Sequence, residues 1–124
     1  MNWILQDRRQ RRSSDRFVAL RYQLEYSREN GGLEALVLAN DDGLLVASSG
    51  DSAVCAELGA VAPLMSQSVM GMPLPPLLRG TEVAIRRVAV YGQQLYLAAV
   101  GGNVARDAHL RNSMSGVERI LTYN

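Results

Sequence analysis

Lysine is missing from this sequence: all 13 basic residues are arginine. A P-loop and a lysine Schiff base are therefore both excluded. Histidine occurs once, at His109, so no two-histidine metal site can form. The single cysteine, Cys55, rules out an intrachain disulfide and any CxxC motif, and suits a reducing, cytoplasmic setting. A dominant charge is lacking as well. Twelve acidic residues nearly balance the arginines, the net charge is +1, and no global field steers the chain to nucleic acid or a membrane surface. Leu58 to Leu78 is free of charge and close to membrane-span length. Its Pro63, Pro73, Pro75 and Pro76, with Ser66, Gln67 and Ser68, break and hydrate it, so no membrane span is expected. Trp3-Ile4-Leu5 is too short for a signal core, and the arginines follow it instead of preceding it.

What is present fits one soluble domain: 124 residues, 48% hydrophobic and 20% charged. The organising stretch is Glu34 to Met70. An apolar run, Glu34 to Ala39, meets Asn40-Asp41-Asp42-Gly43, and a second run, Leu44 to Ser49, follows. Asp-Gly between two such runs is a hairpin signal, because glycine accepts positive φ without steric cost. Ala35, Val37 and Ala39 fall on one face, Leu36 and Leu38 on the other; Leu44 and Val46 oppose Leu45 and Ala47. With both faces apolar, the hairpin needs a layer above and a layer below.

Asp51 or Ser52 can cap the helix that follows. Val54, Leu58, Val61, Met65 and Val69 make one buried stripe along it. The opposite side, Ala56, Ala60, Leu64 and Gln67, is small and uncharged, and Glu57 is the one charge between Ser52 and Leu78. A helix apolar all round must be buried on more than one side, and a domain this small offers little to bury it against. A second subunit is the expected cover. Pro63 is expected to kink this helix or end its first half, and Cys55 is expected to be a small core or interface residue.

Ahead of the hairpin, Ser13-Ser14-Asp15 reads as an N-cap for a helix over Arg16 to Glu29 that stops at Asn30-Gly31-Gly32. Phe17, Leu20, Leu24 and Ser27 line its inner face, with Val18, Tyr22 and Tyr26 beside them. This cap divides the chain into a basic arm, 1–13, and a domain, 14–124. Arg8, Arg9, Arg11 and Arg12 of the arm are candidate partner-binding residues; a solvated helix start is the plainer reading. After the stiff segment Gly71 to Pro76 come two more strands, Thr81 to Tyr91 and Leu95 to Val100, turned at Gly92-Gln93-Gln94. Arg86-Arg87 interrupts the first. Adjacent strand residues point to opposite faces, so one arginine faces inward unless a bulge or a break intervenes. Both remain candidates for an exposed cationic spot. Asn103 can cap a last helix, Val104 to Leu121, with Leu110, Met114, Val117 and Leu121 as its stripe. Helix, strand, strand, helix, strand, strand, helix gives an α+β, three-layered class.

That order, with EALVLANDDGLLVASSG, a long helix, then VAVYGQQLYLAAVGG, resembles the roadblock/LC7 family over about residues 14–121. A short, arginine-rich chain of this kind is similar to its bacterial branch, the Mgl-type regulators of gliding motility and polarity. The resemblance implies a three-layer sandwich, an antiparallel sheet of four to five strands with one helix on one face and two on the other. It implies a homodimer in which middle helices pair and edge strands join the sheets, placing Ala56, Ala60, Leu64, Gln67, Val83 and Ile85 at the interface. It further implies a non-enzymatic adaptor or co-regulator working beside a Ras-like GTPase, with that GTPase or a fellow roadblock-type regulator as partner.

Two alternatives stand beside this adaptor. One is direct stimulation of GTP hydrolysis, for which Arg79, Arg86 or Arg87 would have to act as an arginine finger. The other is a small-molecule sensor, against which the apolar runs show no internal polar cluster. An enzyme is not expected: the acids sit at turns, caps and outer helix faces, and a nucleophile would lack a histidine partner. No cofactor is expected either.

Overall fold

The structure is a computed structural model that describes residues 2–67, 74–78, 82–101 and 106–122; side chains are described from residue 15 onward and, in the last helix, from residue 113. Among these residues, helices α1 (Asn2–Gly31), α2 (Ser52–Gln67) and α3 (Arg106–Thr122) enclose strands β1 (Leu33–Asn40), β2 (Leu45–Gly50), β3 (Val83–Val90) and β4 (Gln93–Gly101). The strands form one antiparallel sheet in the order β2-β1-β4-β3. Four strands lie among the described residues. The fifth that the resemblance allowed is not among them: the connection to β3 contains Pro75 and Pro76, which cannot donate to a sheet ladder, and Pro76–Leu78 coils into a 3-10 turn.

The sheet is covered on both faces, as the two-sided strands require. Leu36, Leu38, Leu97 and Val88 pack with Leu20, Leu24 and Val117 under α1 and α3. Ala35, Val37, Ala98 and Val100 pack with Cys55, Leu58, Val61 and Ala62 under α2. The β1–β2 turn closes with the N–H of Gly43 donating to the carbonyl of Asn40 at 3.0 Å. The Asn40 side chain accepts from the N–H groups of Asp42 and Leu44. Gly43, at φ +80, also lies so close to α2 that a Cβ there would stand 3.1 Å from the Ala60 Cα. Asp51 caps α2 by accepting from the N–H of Val54 at 3.1 Å.

Several local expectations are corrected. α1 does not start at Ser13-Ser14-Asp15; it runs through them from Asn2. Residues 2–12 hold no glycine or proline, and six of the eleven are Arg or Gln, good helix formers, so an established helix propagates through a potential cap. Of the two outcomes expected at Pro63, an end to the first half of α2 is ruled out, since the helix continues to Gln67 with Pro63 buried. Arg86-Arg87 neither bulges nor breaks β3, whose pairing with β4 is regular from Val83 to Val90. The bulges lie elsewhere, at Val46 in β2 and Glu34 in β1, where the register shifts. The Val46 bulge sends both Val46 and Ala47 toward α1 and α3. The β3–β4 turn is tighter than expected, because Tyr91 (φ 51) and Gly92 (φ 77) both take left-handed conformations. Such a two-residue turn matches the sheet's twist and brings Gln93 and Gln94 into β4. The expected cap at Asn103 lies outside the described residues.

Candidate interaction surfaces

The outer face of α2 forms because its inner residues meet the sheet. Leu58, Val61 and Ala62 are buried, so Ala56, Ala60, Leu64 and Gln67 point away and all four are exposed, Leu64 to 57%. Glu57 is drawn off this face: its carboxylate accepts from the N–H of Leu77 at 3.1 Å. That bond holds the 3-10 turn against the helix and directs Leu78 fully into the core. Val83 and Ile85 are half-buried on the same side of the sheet, packed against the α2 cluster. The six residues named for an interface thus lie along one side of the protomer.

Arg86 and Arg87 separate onto opposite faces. Arg87 faces α2 and donates from Nε to Ser66 Oγ at 2.8 Å and from Nη2 to the Ser66 carbonyl at 2.9 Å. A guanidinium on the last carbonyls of a helix complements both the unpaired acceptors and the dipole. This contact explains why no bulge is needed. Arg86 pairs across the ladder with Leu97 and is half-buried. The side chains of Arg8, Arg9, Arg11 and Arg12 lie outside the described residues, as do those of Arg79 and His109.

Two surfaces escaped sequence reasoning. Along α1, Phe17, expected on the inner face, is 54% exposed, because it lies beyond the reach of the buried Leu20 and Leu24, and Val18, Tyr22 and Tyr26 beside it are exposed to 43%, 66% and 68%. At the sheet's edge, Leu44 and Leu45 are exposed, and the flank of α1 beside β2 lines open hollows of about 340 Å³ and 260 Å³. Strand order is a non-local property, so nothing in the local pattern marked β2 as an edge.

Cys55 is buried, and its thiol donates to the Ser49 carbonyl at 3.5 Å. Burial pushes its pKa up from the ordinary thiol value, outweighing the neighbouring Ser48 hydroxyl. Among the described residues, no three His, Cys, Asp or Glu side chains converge to hold a metal ion, and no helix is long and apolar enough to cross a membrane.

No protein-family model matches the sequence, and no curated protein matches it. Solved structures do. The gliding protein MglB from Thermus thermophilus is 13% identical, with 88% of this chain and 93% of that one covered at a TM-score of 0.55. Myxococcus xanthus MglB is 11% identical, with 84% and 88% covered at 0.50. The chain has the fold of these proteins, the roadblock/LC7 sandwich that its sequence resembles.

Proposed function

We propose that this chain is a roadblock/LC7-type regulator of the MglB kind: a cytoplasmic, non-enzymatic homodimer that acts in a Ras-like GTPase pathway of polarity or motility. On this reading α2 pairs with α2 of a second copy through Ala56, Ala60, Leu64 and Gln67, with Val83 and Ile85 alongside. The dimer then binds the GTPase or a fellow regulator. The observation that carries the proposal is the bare, uncharged outer face of α2. Small residues let two helices approach closely, and with Glu57 held by the Leu77 amide no charge on that face must be desolvated. The shared fold with MglB supports the pathway.

Light scattering on the purified chain tests the dimer: twice the 13.5 kDa protomer mass is expected at micromolar concentration, and a monomer overturns the reading. Capture from the native cell tests the pathway, with a Ras-like GTPase or a second roadblock-type protein as the expected prey. Phosphate release by that GTPase separates an adaptor, which leaves the rate unchanged, from a direct activator. The engagement of Arg87 with Ser66 favours the adaptor, since that guanidinium is already committed within the protomer.

A further inference from the structure

β2 pairs with β1 and, among the described residues, with no strand on its outer side. An edge strand exposes a row of N–H and C=O groups, and proteins guard such edges with charge, proline or cover. β2, LVASSG, has neither charge nor proline, and its one bulge, at Val46, leaves Ala47 to Gly50 regularly paired with β1. Beside it runs one flank of α1, on which Phe17, Arg21, Glu25 and Arg28 follow at steps of four, four and three. These residues line two adjoining hollows that share Arg21 and Ser48. The first is apolar, with Phe17, 54% exposed, beside Val46 and Ala47. The second is polar, holding Arg21 and Arg28 over Ser49. Arg28 spends one donor on Ser49 Oγ, at 2.7 Å, out of the five on a guanidinium. From Phe17 to Arg28 the helix rises roughly 16 Å, the span of about five strand residues.

We propose that this groove binds an extended segment of a partner protein, added as a strand to the outer edge of β2. Its α1-facing side chains alternate with outward ones, an apolar residue meeting Phe17 and acidic residues meeting Arg21 and Arg28. Backbone hydrogen bonds to the edge supply affinity and the α1 flank supplies selectivity. The charge of the flank selects the occupant. Two arginines outweigh Glu25, so an acidic segment is favoured, whereas two copies of β2 paired about a two-fold axis would bring the same arginines toward each other. The proposal does not depend on the dimer.

Fluorescence anisotropy with the full chain tests it, using a labelled heptapeptide in which threonine alternates with one valine and then two aspartates, so that the valine and both aspartates share one face of the strand. Saturable binding is expected, weakened by roughly tenfold more salt, and lost when alternate peptide amides are N-methylated. Arg21→Glu should weaken the aspartate peptide by about fivefold, the yield of one exposed charge pair, and improve a lysine counterpart. Arg21 is exposed, so the variant should keep the parent circular dichroism spectrum. Absence of saturable binding, equal binding of the N-methylated peptide, or indifference to Arg21→Glu would each overturn the proposal. So would self-association that persists in Ala60→Arg and disappears in Arg21→Glu, since that would make a second copy the occupant.

Discussion

Ala60 and Ala62 stand two positions apart on α2, one exposed and the other fully buried. Arginine at each should therefore fail in a different way. Ala62→Arg drives a guanidinium into the cluster around Val37 and Leu58 and should abolish folding. Ala60→Arg should leave the protomer intact and act on the proposed pairing of α2 with a second copy. Symmetry places one added guanidinium from each copy in the contact, and burying an unpaired ion costs several kcal/mol even after relaxation. Partial escape of the long side chain to the rim lowers that cost. A remaining loss of about 3 kcal/mol raises Kd roughly a hundredfold. A dimer of micromolar Kd would then be monomeric at working concentrations. Sedimentation velocity should show one protomer mass for Ala60→Arg, with far-UV circular dichroism unchanged and a melting temperature lowered only by the lost dimer linkage. A persisting dimer would place the interface elsewhere; a collapsed helical signal would mean that this side of α2 is not free in the protomer.

The turn before β3 offers a stability test. Leu78 is fully buried and Leu77 is 47% exposed, so Leu78→Ala should cost about 3 kcal/mol in urea unfolding and Leu77→Ala less than about 0.5 kcal/mol. Near-equal effects would show that the turn does not anchor in the core. Cys55 supplies a pH test. Its folded pKa is raised by burial, so the unfolded chain ionises first as pH climbs past the ordinary thiol range. The stability that the buried neutral thiol provides is complete below that range and declines as pH rises toward the folded pKa. Melting temperature should fall more steeply on the alkaline side in the parent than in Cys55→Ala, and identical slopes would refute the assignment.

Where the pattern was local, the residues announced the structure. Period-two alternation correctly divided β1, with Ala35 and Val37 toward α2 and Leu36 and Leu38 toward α1. Turn chemistry located the Gly43 hairpin and the Asp51 cap. What failed depended on distant partners. Ser13-Ser14-Asp15 reads as a cap only if the preceding chain is not helical. Arg87 reads as a conflict only until Ser66, 21 residues earlier, is seen to receive it. Leu78 follows a proline-rich connection, and it is buried in a turn whose Leu77 amide meets Glu57, 20 residues earlier. Tyr22 and Tyr26 lie beside the buried stripe, but how far α3 reaches across α1 is a packing outcome. The outer α2 positions Ala56, Ala60, Leu64 and Gln67 stood out because the helix carries too few charges, whereas Val83 and Ile85 entered through the resemblance to a family whose edge strands join; the groove required strand order as well.

The α2 face and the β2 groove occupy different parts of the protomer. α2 lies on one face of the sheet and β3 forms one edge; α1 lies on the other face and β2 forms the opposite edge. If α2 and β3 meet a second copy, both grooves remain open, one per protomer, and the dimer becomes a bivalent adaptor. Bivalence raises affinity through effective concentration when the linker spans both sites. Two aspartate–valine segments joined by a long Gly/Ser linker should bind the parent at least about tenfold more tightly than one segment. Monomeric Ala60→Arg should bind one segment normally and lose the tandem gain. A tandem gain retained by the monomer would mean that a single protomer holds both segments, and would separate the groove from the dimer as the source of avidity.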